Sequence, residues 1–116
     1  MPDGDCLFCR IVAGEIPSRR VYEDDLLVAF HDIAPRAPTH VLIVPRRHIA
    51  SALELTDADG PLLGRLFSVA AQIAESQGIA ERGYRVVCNV GSWGGQTVDH
   101  LHLHLMGGRA FTWPPG

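Results

Sequence analysis

The sequence predicts an α+β domain built on an antiparallel sheet. Three observations lead there. Short apolar segments are separated by short polar connections. One longer segment has helical period. Near the C-terminal end, His100-Leu101-His102-Leu103-His104-Leu105-Met106 alternates strictly. On a helix that spacing would scatter the imidazoles around the axis. On a strand it sets all three histidines on one face and Leu101, Leu103 and Leu105 on the other, toward a core.

The elements follow in order. Asp5 is placed to cap a short helix from about Cys6 to Ala13, with Leu7, Phe8, Ile11 and Val12 as its apolar face and Gly14 as its stop. Val21-Tyr22 begins an extended segment that turns at Glu23-Asp24-Asp25. Leu26 to Asp32 reads as a strand, and Thr39 to Val44 as a central strand with apolar residues on both faces. Between them Ala34-Pro35-Arg36-Ala37-Pro38 is a loop, because each proline fixes φ and lacks an amide donor. Thr56 is a natural N-cap for the long helix, with Asp57 and Asp59 near the positive end of its dipole. Leu62, Leu63, Leu66, Phe67, Ala70, Ile73 and Ala74 carry the helical period, and Gly78 ends it. Tyr84 to Val90 and Leu101 to Met106 are the last two strands, joined by a glycine-rich loop.

At 116 residues the chain is one domain, 1–116, with no room for a second. A hydrophobic fraction of 47% and a charged fraction of 20% exclude disorder, and no apolar run reaches membrane-spanning length. Met1-Pro2-Asp3-Gly4-Asp5 lacks the basic start and apolar core of a signal peptide, so a cytoplasmic location is expected. The net charge of −3 argues against general nucleic-acid binding. All 10 basic residues are arginine, which rules out a lysine nucleophile and leaves histidine as the obvious alternative. The 3 cysteines make no disulfide framework. Cys88 reads as a small buried hydrophobe, whereas Cys6 and Cys9 form a C-x-x-C pair.

The histidine row is the chemical centre. Ahead of it, Gly91-Ser92-Trp93-Gly94-Gly95-Gln96-Thr97 is a turn whose bare backbone can approach a ligand closely. Ligands spaced along one flat strand converge poorly on a tetrahedral metal. Nucleophilic attack on phosphorus with a covalent intermediate fits better, with loop amides aimed at the developing charge. A nucleophilic histidine in the row needs its second ring nitrogen tied to a fixed acceptor, such as a main-chain carbonyl.

The run from His100 to Met106 resembles the histidine-triad motif, His-x-His-x-His followed by two apolar residues. The resemblance is widest to the Hint branch, the histidine-triad nucleotide-binding proteins. It takes in Phe30-His31-Asp32-Ile33, Ala37-Pro38-Thr39-His40, Asn89, the loop from Gly91 to Thr97 and the ending Trp113-Pro114-Pro115-Gly116. It implies a five-stranded antiparallel sheet with one long and one short helix, the sheets joining across a homodimer. The tail from about 107 to 116 would dock at that interface, and Trp113 would reach the partner's nucleotide site.

The resemblance also implies roles. His102 would attack the α-phosphorus of an AMP-like purine nucleotide, His104 would hydrogen-bond to the phosphate or leaving group, and His100 and His40 would complete the network. Gly95, Gln96, Thr97 and Asn89 would lie at the phosphate, and Asp32 at the ribose hydroxyls. Phe8, Phe30, His31 and Ile33 would line the base pocket. The reaction expected is hydrolysis of an adenosine 5′-monophosphoramidate-type substrate to AMP and an amine, with no catalytic metal or organic cofactor. A dinucleotide polyphosphate hydrolase and a binding module without turnover are the alternatives. Trp93 and Asp99 depart from the family pattern, and Trp93 puts the leaving-group preference in question. Bacterial members with a C-x-x-C pair carry a structural zinc, and the matching ligands here would be Cys6, Cys9, His48 and His100.

Overall fold

A computed structural model describes residues 5–116; the reading of the N-terminal start from Met1 to Gly4 lies outside them. The elements are α1 (Leu7–Val12), β1 (Arg20–Glu23), β2 (Leu27–His31), β3 (Thr39–Pro45), α2 (Gly60–Ser76), β4 (Arg85–Val87) and β5 (Leu103–Gly107). Short 3₁₀ turns at Ala52–Glu54 and Asp57–Asp59 lead into α2. The strands form one five-stranded sheet of order β1-β2-β3-β5-β4. Every pairing is antiparallel. The expected α+β architecture is therefore present.

The expected central strand is central: β3 lies between β2 and β5, and every one of its residues is buried. Alternation sorts the strand side chains between two clusters. Leu27, Ala29, Val41, Ile43, Leu103 and Leu105 pack with Leu66, Val69, Ala70, Ile73 and Ala74 of α2. Val28, Phe30, Leu42 and Val44 face the other way and pack with Cys6, Phe8 and Ile11 at α1. A 17-residue helix covers the first face. A 6-residue helix is too short to cover the second, and a cleft opens beside it.

Several boundaries differ from expectation, each for a local reason. Cys6, not Asp5, caps α1, its sulfur accepting the Cys9 amide at 3.3 Å. Thr56 does cap, but it caps the 3₁₀ turn before α2, in a reciprocal box with Asp59. Pro61 then opens the α-helix, where a missing amide costs nothing. The last strand begins at Leu103 rather than Leu101, because the Leu101 amide bonds to the Ile49 carbonyl at 2.6 Å, outside the ladder. The strand before it is only Arg85–Val87, and Cys88 just beyond is exposed rather than buried. Phe67, assigned by period to the core face of the helix, is 53% exposed.

One polar cluster ties the β1–β2 turn to α2. Asp24 accepts the Leu26 and Leu27 amides at 2.7 and 3.0 Å and the Tyr22 hydroxyl at 2.8 Å. Arg65 donates to Asp24 from α2 at 3.1 Å and also bonds to Tyr22. Burial alone would raise the Asp24 pKa, but these donors together hold it down at about 2. A carboxylate with a depressed folded pKa stabilises the fold above its unfolded pKa, and that stabilisation fades as pH falls toward the folded value. Asp24→Asn should therefore cost about 1–2 kcal/mol at neutral pH, with the deficit shrinking between about pH 4 and pH 2. Denaturant melts of the two proteins across that range measure it; a deficit independent of pH would mean the charge is not what stabilises the turn.

Candidate active site

The cleft has a volume of about 780 Å³. It runs over the sheet face that α1 leaves open. Four side chains stand in register across that face: His104 on β5 opposite Leu42 on β3, Leu42 opposite Phe30 on β2, and Phe30 opposite Arg20 on β1. The apolar floor thus runs from a histidine end to an arginine end. Of the expected nucleotide and catalytic residues, Phe8, Phe30, His31, Asp32, Ile33, Thr97, His102 and His104 line it. Ile11, Ile16, Arg19, Leu42 and Val98 line it too, and sequence reasoning missed them as site residues. Ile11 and Leu42 were legible as apolar periodicity. Ile16 and Arg19 fall in an irregular stretch that carries no periodic signal.

The hydrogen bonds assign the histidine tautomers. His102 Nδ1 lies 2.7 Å from the His100 carbonyl, which can only accept, so Nδ1 carries the proton and Nε2 keeps its lone pair. The Phe8 ring stands edge-on to His102 at 5.0 Å and fixes its plane. The Arg36 amide donates to His40 Nδ1 at 3.0 Å, so neutral His40 is protonated on Nε2. That proton points at His104 Nδ1, 2.9 Å away, which leaves the His104 proton on Nε2. A relay of one backbone amide and two rings thus presents an N–H at the cleft beside the His102 lone pair.

Burial favours the neutral forms of His40 and His104. It lowers the His40 pKa, with Arg36 adding to the effect against Asp32. Burial lowers His104 further, to about 4, reinforced by His102 and His40 and opposed by Asp32. Asp32 Oδ2 lies 3.4 Å from His40 Nε2, while its Oδ1 accepts the Ala34 amide at 2.8 Å. It therefore closes its own turn as well as lining the cleft.

The glycine loop serves a different purpose from the one expected. The amides of Gly94, Gly95 and Gln96 bond to carbonyls within the loop, and the Gly91 amide bonds to Gln96 Oε1 at 3.0 Å. Gln96 Nε2 donates to the carbonyls of Ala50 and Val98 at 2.8 and 3.0 Å. The Gln96 side chain thus pins the loop to the domain instead of lining the cleft. The glycines are required by the turn itself: a Cβ on Gly94 would sit 2.2 Å from the Val90 carbonyl oxygen, and Gly95 has φ of 86°. Asn89 packs beside Gly95, away from the cleft lining. Thr97 is the loop's polar residue that reaches the cleft. Trp113 is 83% exposed and does not line its own chain's cleft, while Phe111 is held between Arg85 and Arg109.

His100 is not in the cleft either. It is fully buried, its Nε2 donating to the Pro45 carbonyl at 2.8 Å. Its Nδ1 lone pair therefore faces the sulfurs of Cys6 and Cys9, at 3.3 and 3.4 Å. His48 Nδ1 lies 3.2 Å from the Cys9 sulfur. Cys6, Cys9, His48 and His100 together can bind a metal such as zinc, because two thiolates and two imidazoles within 4.8 Å of one another make a closed tetrahedral donor set. Asp32, His40 and His104 cluster as tightly, yet their chemistry does not fit an ion. His40 already uses its Nδ1 lone pair to accept the Arg36 amide, and ligation through Nε2 would require an imidazolate.

This fold and this arrangement of imidazoles define a histidine-triad protein. The chain belongs to the HIT family: the HIT domain model matches residues 13–111. It is 52% identical to an uncharacterized HIT-like protein of Synechococcus elongatus over 97% of both chains. It is 50% identical to the purine nucleoside phosphoramidase of Escherichia coli K12, over 90% of this chain and 88% of that one. The crystal structure of a HIT family hydrolase from Legionella pneumophila superposes with a TM-score of 0.95 at 53% identity, covering 97% of this chain and all of the other.

The relay makes a prediction of its own. In ring-nitrogen NMR, His104 should stay neutral until the pH falls to about 4, against an ordinary histidine value of 6.5. Below that it is protonated on Nδ1 and can no longer accept from His40. A midpoint near 6.5 would mean that burial beside His102 and His40 does not hold His104 neutral.

Proposed function

We propose that the chain is a nucleoside phosphoramidase, hydrolysing an AMP–amine conjugate to the nucleotide and the free amine through a nucleotidyl-histidine. The observation that carries this is the fixed tautomer of His102, which puts a neutral nucleophilic nitrogen on a side chain lining the cleft. The similarity to a purine nucleoside phosphoramidase supports the same reading.

In the first step the His102 Nε2 lone pair forms a bond to phosphorus and the P–N bond to the amine breaks, the amine leaving with a proton drawn from water. The positive charge that develops on His102 is stabilised by the His100 carbonyl at Nδ1. His104 presents its Nε2–H to the phosphoryl oxygens. Giving that proton up would leave an imidazolate on His104 or, after transfer along the relay, on His40, so His104 acts as a hydrogen-bond donor rather than an acid. In the second step water attacks phosphorus, the bond to His102 breaks, and the water's proton passes to solvent. Asp32 at the end of β2 is placed to accept from the ribose, and Phe8, Phe30 and Ile33 to hold the base.

His102→Ala should lower turnover by several orders of magnitude while nucleotide affinity changes little. Rapid quench without acid should trap one nucleotide per wild-type site, on His102 by mass spectrometry. Inversion at a chiral phosphorothioate, instead of net retention, would end the covalent mechanism. Comparing an AMP–amine conjugate with a diadenosine polyphosphate separates this activity from dinucleotide hydrolysis, and turnover of neither would leave a binding module.

We place structural zinc at Cys6, Cys9, His48 and His100, where four protein ligands leave no open position for catalysis. When bound it would fix the start of α1 against the turn after β3. Mildly purified protein should contain about one zinc per chain by elemental analysis. Replacing Cys6 and Cys9 together should remove it and lower the melting temperature, with some activity left. Metal-free wild type would rule this out.

A homodimer fits the same picture. β4 is an edge strand, and Phe67 on α2 is an exposed aromatic, features a partner subunit would cover. Trp113 would then belong to the partner's site.

A further inference from the structure

The far end of the cleft carries a group that the phosphate chemistry does not use. The row His104–Leu42–Phe30–Arg20 crosses from β5 to β1, three strand spacings or about 14 Å. A nucleotide with its phosphorus at His102 and its ribose at Asp32 carries its base toward β1. Two arginines stand there, and they are not equivalent. Arg20 is committed to the fold: it donates to the Ile11 and Val12 carbonyls at the end of α1 and to Glu23. Arg19 lines the cleft instead, held in place by its carbonyl, which accepts the His31 amide at 3.0 Å. Among the described residues lining the cleft it is the one arginine.

We infer that Arg19 is a specificity-determining residue that makes this site favour 6-oxopurine nucleotides over adenine nucleotides. This rests on the reading of the cleft as a nucleotide site. A guanidinium is a fork of donors with no acceptor. Guanine presents O6 and N7, two adjacent acceptors that match the fork. Adenine presents N7 beside the N6 amino group, a donor that the fork opposes. The rest of the base end is apolar or aromatic apart from Ser18 and His31, so it supplies stacking that any purine accepts. Discrimination therefore falls mainly to Arg19. Because Arg19 is exposed, water competes for the contact and the preference should be modest.

The test is calorimetric binding of GMP, AMP and 7-deaza-GMP to wild type and Arg19→Ala, with turnover of guanosine and adenosine phosphoramidates bearing one amine. GMP should bind wild type about five- to tenfold more tightly than AMP. In Arg19→Ala that ratio should fall to about 1, through weaker GMP binding with AMP unchanged. 7-Deaza-GMP, lacking one acceptor of the pair, should lose most of the advantage. Equal affinities in wild type, or equal losses for both nucleotides in the variant, would overturn the inference, the second result meaning that Arg19 acts on the phosphate. Phosphoramidate turnover without base preference would leave the proposed activity standing and remove this specificity. A GMP preference that depends on Arg19, with no turnover, would do the reverse. Failure to bind either nucleotide would overturn both.

Discussion

The site depends on how His100 is held. Its ring is fully buried, with one nitrogen on the Pro45 carbonyl and the other toward the two cysteine sulfurs. Its carbonyl, on the same residue, accepts the proton that fixes the tautomer of His102. Anchoring a buried imidazole at both nitrogens leaves it little freedom, since any rotation would strand a polar group away from water. His102 therefore inherits its orientation from a residue whose own side chain never enters the cleft. The same cluster contains the cap of α1, and α1 carries Phe8, which holds the plane of His102 from the other side. The Cys/His cluster, the cleft wall and His102 form one mechanical unit.

Much of this was legible in the alternation of the chain. Leu101, Leu103 and Leu105 are buried together, and β3 is central because apolar residues occupy both its faces. The C-x-x-C pair does meet His48 and His100. All three triad histidines share one strand face, as the alternation implies: His100 and His102 both pack against Phe8 and His104 stands beside His102, opposite the core that holds Leu101, Leu103 and Leu105. The ladder itself begins only at Leu103, yet the alternation already holds from His100 onward. Along that face the His100 ring meets the cysteines while His102 and His104 line the cleft. What spacing alone could not show is which neighbours each ring meets, because Cys6, Cys9 and His48 reach His100 from elsewhere in the chain.

Other parts of the chain also hold more than local pattern shows. A glycine-rich loop before a histidine row reads as a phosphate cradle, but Gln96 closes this one on itself and its glycines answer to Val90 and to positive φ. Cys88 continues an apolar run and so reads as core, yet β4 ends at Val87 and leaves it outside the ladder. Phe67 obeys the helical period on a face wider than the sheet beneath it, and remains exposed. In each case local pattern gave the residue's face, while the extent of the neighbouring element decided whether that face was covered.

The two histidine clusters differ through a single backbone amide. Asp32, His40 and His104 have the composition of a metal site, as do Cys6, Cys9, His48 and His100. At His100 the backbone partner is a carbonyl, which takes the ring proton and frees the opposite nitrogen as a ligand. At His40 the backbone partner is the Arg36 amide, which takes the lone pair and forces the proton to the opposite nitrogen. One ring is thereby made a Lewis base toward the thiols, and the other a donor toward His104. Pro35 precedes Arg36 and cannot itself donate, so the loop's available amide is the one that meets His40. The polarity of the relay, and with it the N–H that His104 presents at the cleft, is set by that loop and not by the histidines themselves.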